Sequence, residues 1–216
     1  MKKSLDSCIR ILLIRHGETD WNRIHRFQGR SDLPLSKEGR DQARALALAL
    51  KDEPIKAIYS SPLARAMETA RFVKAYHPSA PFYQEDGLIE MDLGEFDGMT
   101  AEDWIANYPD YRKKWMKNPS TVKMPGGESL KDVQDRAIVS LHKIIDQHSP
   151  ETTIAICTHN FVICTLLCHA LEISLDRFRE IKQDTAALNI IHKRGKKFHV
   201  DTINDRTHLE SFMATR

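Results

Sequence analysis

The sequence predicts an α/β fold of three layers, an α/β/α sandwich in which helices cover both faces of a mostly parallel central sheet. Short apolar runs are each followed by a polar turn and then by helical periodicity, and this order of strand, turn and helix repeats along the chain. The length of 216 residues and the hydrophobic content of 41% suit one domain with a sizeable core. We therefore predict a single domain over residues 1–216.

The first strand and the helix after it follow from the pattern near the amino terminus. Cys8 to Ile14 is a short run rich in isoleucine and leucine, as expected of a buried strand. Residues 20–35 have no clear period and predict an ordered loop. Ser36 is placed to cap the next helix. The apolar side chains of that helix follow the spacing i, i+3, i+4 and i+7, at Ala43, Leu46, Ala47 and Leu50.

Two further pairs of strand and helix are predicted along the chain. Ile55 to Tyr59 is apolar apart from Lys56, and the serines and proline of Ser60-Ser61-Pro62 suit the start of a helix. Thr153 to Thr158 forms another strand-like run, and the apolar segment Phe161 to Leu171 indicates a buried helix. Each of these strands therefore leads through a polar turn into a helix.

The remaining segments are predicted from composition and alternation. Residues 100–127 interleave aromatic side chains with lysines and predict a substrate rim or helical lid, with a packed helix and a solvated lysine face as the equal alternative. Ser129 is predicted to begin a further helix. Alternating polarity over residues 187–192 and 198–203 predicts a closing hairpin, in which the basic run from Lys193 to Lys197 is the solvated turn.

Three strand ends bring arginine or histidine to one edge of the predicted sheet. Arg15 and His16 follow the first strand, Arg65 lies in the helix start after the second, and His159 follows the third. A neutral imidazole is a good nucleophile for phosphoryl transfer, and the guanidinium fork matches phosphate oxygens. Nearby positive charge lowers the pKa of a histidine and keeps it neutral. Each residue alone has an ordinary structural explanation, but together they predict a phosphoryl-transfer site.

Phosphoryl transfer also needs a group that gives a proton to the leaving oxygen and takes one from water, which a carboxyl group does in succession. Glu90 is our candidate, in an acidic, glycine-containing loop. Asp92, Glu95 and Asp97 are competitors that the chemistry of the residues leaves open. A calcium-binding loop is the rival interpretation, although the acidic spacing lacks the full set of oxygen ligands.

Composition argues against several other classes of partner. Thirty-two basic and 30 acidic residues give a formal net charge of +2, so no nucleic-acid surface is predicted. The four cysteines form no CxxC pair, and we expect buried reduced thiols and no metal site. No apolar stretch approaches the length of a membrane span, and the run from Ile11 to Ile14 is too short for a signal sequence. A cytoplasmic location is the resulting expectation.

An ordered set of motifs resembles the histidine phosphatase superfamily, also called the phosphoglycerate mutase-like family, over almost the whole chain. The matching segments are Arg15-His16-Gly17-Glu18-Thr19, Trp21-Asn22, Phe27-Gln28-Gly29, Pro34-Leu35-Ser36, Tyr59-Ser60-Ser61-Pro62-Leu63, Arg65, Gly94-Glu95-Phe96-Asp97-Gly98, Pro125-Gly126-Gly127-Glu128-Ser129-Leu130, Thr158-His159, Asn204-Asp205 and His208-Leu209. A set of this size is highly specific. The resemblance implies a phosphoglycerate mutase-like α/β/α fold with no cofactor.

The resemblance also implies roles for individual residues. His16 would be phosphorylated transiently, while Arg15, Arg65 and His159 bind the phosphoryl group. Glu90 would be the proton donor and then the base. Three residues match substrate-contact or phosphate-pocket positions of the family, namely Asn22, Gln28 and Gly29. For Asn22 and Gln28, an equal alternative is that their side-chain amides stabilise the loop.

One departure from the family pattern follows the second histidine, where Asn160 stands in place of the usual glycine. The asparagine side chain occupies space that glycine leaves open. It would either contact the substrate or cap the following helix, and we favour the cap.

The implied function is hydrolysis of small phosphomonoesters by a metal-independent phosphatase that forms a phosphohistidine, acting on a small phosphorylated metabolite. The alternative is a phosphoglycerate mutase, which the short segment from Trp104 to Pro125 disfavours because mutases of the family carry a longer, arginine-rich insertion. A non-catalytic protein that binds phosphorylated ligands is an alternative from another class. Retention of the predicted catalytic residues argues against it. An exposed strand edge also suggests a homodimer.

Overall fold

The computed structural model describes residues 8–213. The two ends of the predicted domain, residues 1–7 and 214–216, lie outside the described residues. A six-stranded sheet with the order β3-β2-β4-β1-β5-β6 forms the centre. Its strands are β1 (Cys8–Arg15), β2 (Ile55–Ser60), β3 (Phe82–Gln84), β4 (Thr153–Thr158), β5 (Leu188–Arg194) and β6 (Lys197–Asp205). The first four are parallel, while β5 and β6 pair antiparallel, which confirms a mostly parallel sheet.

Helices follow the strands as the sequence predicts. They are α1 (Asp20–Arg23), α2 (Lys37–Ala49), α3 (Ala64–Tyr76), α4 (Ala101–Asn107), α5 (Pro109–Lys117), α6 (Leu130–Asp146), α7 (Asn160–Ala170) and α8 (Thr207–Met213). Short 3₁₀ turns lie at Asp86–Leu88, Gly94–Phe96 and Leu175–Glu180. None of the helices within residues 8–213 combines the length and the apolar character needed to cross a membrane.

Side chains that alternate along β1 fill two separate cores. Ile11 and Leu13 point to the face covered by α6 and α7, where they join a cluster that contains Ile144. Leu12 and Ile14 point to the other face, where α2 and α3 cover the sheet. Because successive side chains of a strand leave opposite faces, a fully apolar strand needs helices on both sides. The three-layer α/β/α prediction is therefore confirmed.

Two predicted helix caps are confirmed. The Ser36 hydroxyl accepts a hydrogen bond from the Gly39 amide at 3.0 Å, and Ser129 forms a reciprocal capping box with Asp132. These caps satisfy amide donors that have no partner inside the first turn of a helix.

Two other local predictions are wrong. The serines before α3 do not cap it, because α3 begins at Ala64 and Leu63 occupies the cap position without a side-chain bond. Ser61 instead contacts His159. The segment 20–35 is not entirely loop, since Thr19 caps the short helix α1.

The segment 100–127 contains two short helices, α4 and α5, whose aromatic side chains pack against the core. The Trp115 ring is buried beside Phe161 and Phe178, at centroid distances of 6.5 Å and 5.9 Å. The closing hairpin is confirmed as β5 and β6, and its exposed turn contains Gly195 with a φ of +55°. Three of the cysteines are buried free thiols, as expected, and Cys8 is half-buried.

Candidate active site

The three predicted strand ends lie side by side at one edge of the sheet. β4 pairs with β2 on one side and with β1 on the other. Beyond the ends of these strands, the His16 amide donates to the Thr158 carbonyl at 3.0 Å, and the Ser61 amide donates to the Cys157 carbonyl at 2.9 Å. The backbone pairing therefore holds the segments around His16, Ser61 and His159 together.

His16 is buried, with 2% of its surface exposed, and its ring has a fixed orientation. Its Nδ1 lies 2.7 Å from the Gly17 carbonyl oxygen. Because a carbonyl oxygen only accepts, Nδ1 carries the proton and Nε2 keeps its lone pair. Burial lowers the pKa of His16 well below its ordinary value, and the positive charges of Arg65 and Arg15 lower it further. Neutral His16 is thus an available nucleophile at Nε2.

Gly17 allows the backbone to turn tightly beside His16. A Cβ atom at this position would lie 2.5 Å from the Gly39 carbonyl oxygen, a distance that requires the backbone to move. The Gly17 amide also donates to the Thr69 hydroxyl at 3.0 Å. Glycine is therefore required by the close approach of the segment after β1 to the start of α2.

Arg65 and His159 form a buried pair next to His16. The Arg65 Nε donates to His159 Nδ1 at 3.2 Å, so His159 Nε2 carries the proton in the neutral ring and donates to the Ser61 hydroxyl at 2.7 Å. The ring centroids of His16 and His159 are 5.1 Å apart. Burial and the charge of Arg65 lower the pKa of His159 well below its ordinary value.

The other guanidinium nitrogens of Arg65 are held by backbone carbonyls. They donate to Ser31 at 2.9 Å and to Gly29 at 2.8 Å. Burial lowers the pKa of Arg65 to about 10, so the side chain is still charged at neutral pH. Arg65 therefore supplies a fixed positive charge beside both histidines.

Glu90 is the buried acid of the site, with 3% of its surface exposed. Burial raises the pKa of its carboxyl group, against the opposing effects of the Met91 amide bond and the charges of Arg65 and Arg15. The carboxyl oxygens accept from the Met91 amide at 2.9 Å and from the Phe161 amide at 3.4 Å. A carboxyl group in this setting is protonated at a higher pH than an exposed one, as an acid catalyst requires.

The geometry separates Glu90 from its three competitors. Asp97 accepts from the amides of Gly29 and Ser31 at 2.9 Å and 2.8 Å, and Asp92 accepts from the Gly94 amide at 2.9 Å. Glu95 is exposed. Asp92 and Asp97 therefore fasten loops, and only Glu90 lines the cavity that contains His16.

A cavity of about 360 Å³ opens at this edge of the sheet. One part of its lining is polar, and we call these residues the polar group: Arg15, His16, Asn22, Gln28, Glu90 and Asn160. The other part is apolar, and we call it the aromatic wall: Phe27, Leu93, Phe96, Trp104, Trp115, Met116, Met124 and Phe161. Arg26 and Arg179 also line the cavity. Arg65 and His159 are not part of the lining and lie buried behind His16.

The predicted substrate contacts are divided by the structure. Asn22, Gln28 and Asn160 line the cavity, whereas Gly29 does not. The Gly29 carbonyl holds Arg65, and a Cβ atom there would lie 2.8 Å from the Met91 carbonyl oxygen. The amide oxygens of Asn22 and Gln28 also accept from Thr19, so these two residues stabilise the loop as well as line the cavity.

Asn160 does not cap α7, so the favoured prediction of a cap is wrong. His159 occupies the cap position, and Asn160 is the first residue of the helix. β4 ends at Thr158 and α7 begins at Asn160, so His159 is the single residue between them and takes the cap position. The amide side chain of Asn160 is left in the cavity lining.

Four buried N–H groups in the lining have no acceptor within the protein: Arg15 Nε, Arg26 Nε, Gln28 Nε2 and Trp104 Nε1. Each unpaired donor of this kind costs about 1–3 kcal/mol. The lining is therefore suited to a ligand rich in acceptor oxygens. The sequence did not single out Arg26, and nothing in its pattern indicates which way that side chain points.

Within residues 8–213, no cluster of three or more histidine, cysteine, aspartate or glutamate side chains is placed to hold a metal ion. The positive charges around the cavity come from arginines. Guanidinium groups offset the charge of phosphoryl oxygens without a metal.

Comparisons with known proteins agree with this geometry. The sequence model described as histidine phosphatase superfamily (branch 1) matches residues 11–206. Phosphoserine phosphatase 1 of Hydrogenobacter thermophilus is 32% identical, with 94% of this chain and 96% of that protein covered. A metal-independent phosphoserine phosphatase of Arabidopsis thaliana is 30% identical, over 93% of this chain and 83% of that protein. The structure of Bacillus stearothermophilus YhfR has a TM-score of 0.87 at 33% identity, covering 93% of this chain and 99% of that one.

Proposed function

The chain belongs to the histidine phosphatase superfamily, and from this premise we propose that His16 and Glu90 perform the hydrolysis of small phosphomonoesters in the cavity described above. The protein is a phosphomonoester hydrolase, since the family model matches residues 11–206 and the two relatives named above are phosphatases, one of them metal-independent. The proposal concerns the residues that carry out this reaction and the order of its steps.

In the first step, Nε2 of His16 attacks the phosphorus atom of the substrate. An N–P bond forms while the bond between phosphorus and the leaving oxygen breaks. The Nδ1 proton stays on the ring, where the Gly17 carbonyl stabilises the positive charge that develops. The fixed charges of Arg15 and Arg65 offset the negative charge on the phosphoryl oxygens.

Glu90 gives its proton to the leaving oxygen in this step. The raised pKa of the carboxyl group keeps a proton on it at a pH where neutral His16 is also present. The product alcohol then leaves, and the carboxylate of Glu90 remains.

In the second step, water attacks the phosphorus atom of phosphohistidine. The carboxylate of Glu90 takes a proton from the water, the N–P bond breaks, and inorganic phosphate leaves with neutral His16 restored. Glu90 ends protonated, so the cycle closes without any other reactant.

One observation carries the proposal: a neutral histidine with a free Nε2 and an acid with a raised pKa line the same cavity, together with Arg15. Two titratable groups whose pKa values are shifted in opposite directions within one cavity are typical of acid–base sites. We propose a small phosphorylated metabolite as substrate, and phosphoserine is one candidate because the relatives named above act on it.

The test follows phosphate release and the covalent intermediate together. The protein is incubated with phosphomonoesters in the presence of a chelator, and quenched samples are examined for acid-labile phosphate on the protein. We expect phosphohistidine at His16 and continued turnover with the chelator. A parallel assay for interconversion of 2-phosphoglycerate and 3-phosphoglycerate should show release of phosphate to be the main outcome.

The critical variant is His16→Ala, with His199→Ala as its control because His199 is exposed on β6, away from the cavity. We expect His16→Ala to lose turnover by at least about 10⁴-fold and to form no phosphoprotein, since loss of a covalent nucleophile removes the whole pathway. Normal turnover by His16→Ala would overturn the proposal.

A further inference from the structure

Arg26 and Trp104 come from distant parts of the chain and meet at the cavity. Arg26 pairs with Thr100 in an isolated antiparallel bridge, and Thr100 caps the helix that carries Trp104. The Phe27 ring lies edge-on to the Trp104 ring at a centroid distance of 5.6 Å. The loop after α1 and the helix α4 are therefore joined where both residues enter the lining.

Both residues present an N–H group that finds no acceptor in the protein. These atoms are Arg26 Nε and Trp104 Nε1, and both are buried. Another guanidinium nitrogen of Arg26 donates to the Gly98 carbonyl at 2.6 Å, which fixes the side chain. Since a buried donor without an acceptor is unfavourable, the pair is suited to a ligand that brings acceptor oxygens.

The charge in this part of the cavity is positive. Arg26 lines this cavity, and Arg179 lines it as well, with its guanidinium group above the Trp115 ring, 5.5 Å from the ring centroid. Glu90 is the only acidic residue in the described lining, and the proposed reaction already uses it. An additional negative group on the ligand would thus meet cationic and N–H partners rather than acids.

We propose that Arg26 and Trp104 form a second anion subsite, which binds a carboxylate or a second phosphate on the leaving group of the phosphomonoester. The inference rests on the proposed function, because it assigns the phosphoryl group itself to the part of the cavity that holds His16 and Arg15. Arg15 Nε and Gln28 Nε2 are the unpaired donors left for that group. The preferred substrates are accordingly phosphorylated acids with two separate anionic groups.

Pairs of substrates that differ in one anionic group test the subsite. Phosphoglycolate is compared with ethyl phosphate, and propane-1,3-diol bisphosphate with propyl phosphate, by measuring kcat/KM for each. For at least one pair, we expect kcat/KM of the substrate with the second anionic group to exceed that of its neutral partner about tenfold or more. The first pair identifies a carboxylate as the recognised group, and the second identifies a phosphate.

Two variants remove the donors without removing the surrounding structure. Arg26→Gln should lower the ratio of kcat/KM for the charged substrate to kcat/KM for the neutral substrate at least about tenfold. Trp104→Phe should lower the same ratio at least about threefold. Both changes should arise mainly from a higher KM for the charged substrate. Arg112→Gln is the matched control, since Arg112 is an exposed arginine of α5 that lies outside the lining. It changes the net charge equally and should leave the ratio as it is.

The outcomes separate this inference from the proposed function. The subsite is overturned if kcat/KM is nearly equal within both pairs of substrates, or if Arg26→Gln lowers kcat/KM equally for both members of a pair. Either result leaves the proposed function intact. If no phosphoprotein forms, binding of the same compounds still decides the subsite. It is measured by calorimetry with the His16→Ala variant and with the double variant that also carries Arg26→Gln. Binding of phosphoglycolate or the bisphosphate must then weaken about tenfold more than binding of its neutral partner, and an equal change overturns the inference.

Discussion

The polar group and the aromatic wall line one cavity, yet the fold holds them in different ways. His16 and Glu90 are almost completely buried, and backbone hydrogen bonds orient both. The wall is less uniform, since Phe96 and Trp115 are buried, whereas Trp104 is half-buried on a short helix and Met116 is 52% exposed. The difference teaches that the reaction depends on buried atoms held by backbone hydrogen bonds at the sheet edge, while the choice of substrate depends on the helices and loops that form the wall.

The largest effect expected from the polar group, after loss of His16 itself, is that of Glu90→Gln. The variant cannot donate a proton, so kcat for an alkyl phosphate should fall by about 10²–10⁴-fold. With p-nitrophenyl phosphate, whose leaving group needs little protonation, a burst of phosphoprotein should still appear in rapid-quench measurements. If the alkyl phosphate were turned over at the parental rate, another group would have to be the acid.

The pH dependence should report the same two groups. Burial lowers the pKa of His16 and raises that of Glu90, so both shifts widen the pH range in which neutral His16 and protonated Glu90 coexist. For an alkyl phosphate, kcat should fall as pH rises through the raised pKa of Glu90, by up to about tenfold for each pH unit. Assays from about pH 4 to about pH 9 test this. An unchanged alkaline limb in Glu90→Gln would contradict the assignment.

Ser61→Ala tests whether the residues behind the polar group position it. The substitution leaves His159 Nε2 without its partner at 2.7 Å, which costs about 1–3 kcal/mol and frees the ring beside His16. We expect kcat to fall about tenfold with little change in KM. Ser149→Ala, at a serine remote from the cavity, is the control. A loss of stability with normal kcat would leave only a structural role.

The smallest effect is expected at the lysines proposed for the rim. Lys113, Lys114 and Lys117 are exposed on α5 and do not line the cavity. Replacing all three by alanine should leave the ranking of substrates within about twofold, because exposed charges outside the lining are strongly screened. Competition assays with mixed phosphomonoesters measure the ranking directly. A changed ranking of substrates would show that the three lysines contribute to substrate selection at the rim of the cavity.

Much of the reactive edge was predictable because backbone rules place it. Parallel strands carry their carboxyl ends to one edge of a sheet, so the sequence predicts that Arg15, His16 and His159 lie together. The helix caps were less predictable. Ser36 caps α2, but Ser61 binds His159 instead of capping α3, because the side-chain oxygen finds a partner that is distant in sequence.

The choice among the four acids shows the same limit. Sequence chemistry left Glu90, Asp92, Glu95 and Asp97 open, and the family resemblance pointed to Glu90. The structure gives a physical reason, since Glu90 alone among the four is buried and lines the cavity, and its burial raises the pKa of its carboxyl group. Burial and amide contacts arise from segments far apart in the chain, which local spacing does not reveal.

The sequence by itself determined the α/β class, the strand ends and the reactive residue types, because these follow from periodicity and from motifs that are continuous along the chain. Tertiary structure decided that Arg65 and His159 lie behind His16 instead of in the lining, and that Arg26 and Trp104, each with a buried donor that has no acceptor in the protein, line the same cavity. The physical reason is that a side chain's direction and burial depend on what packs against it, and those partners come from distant segments.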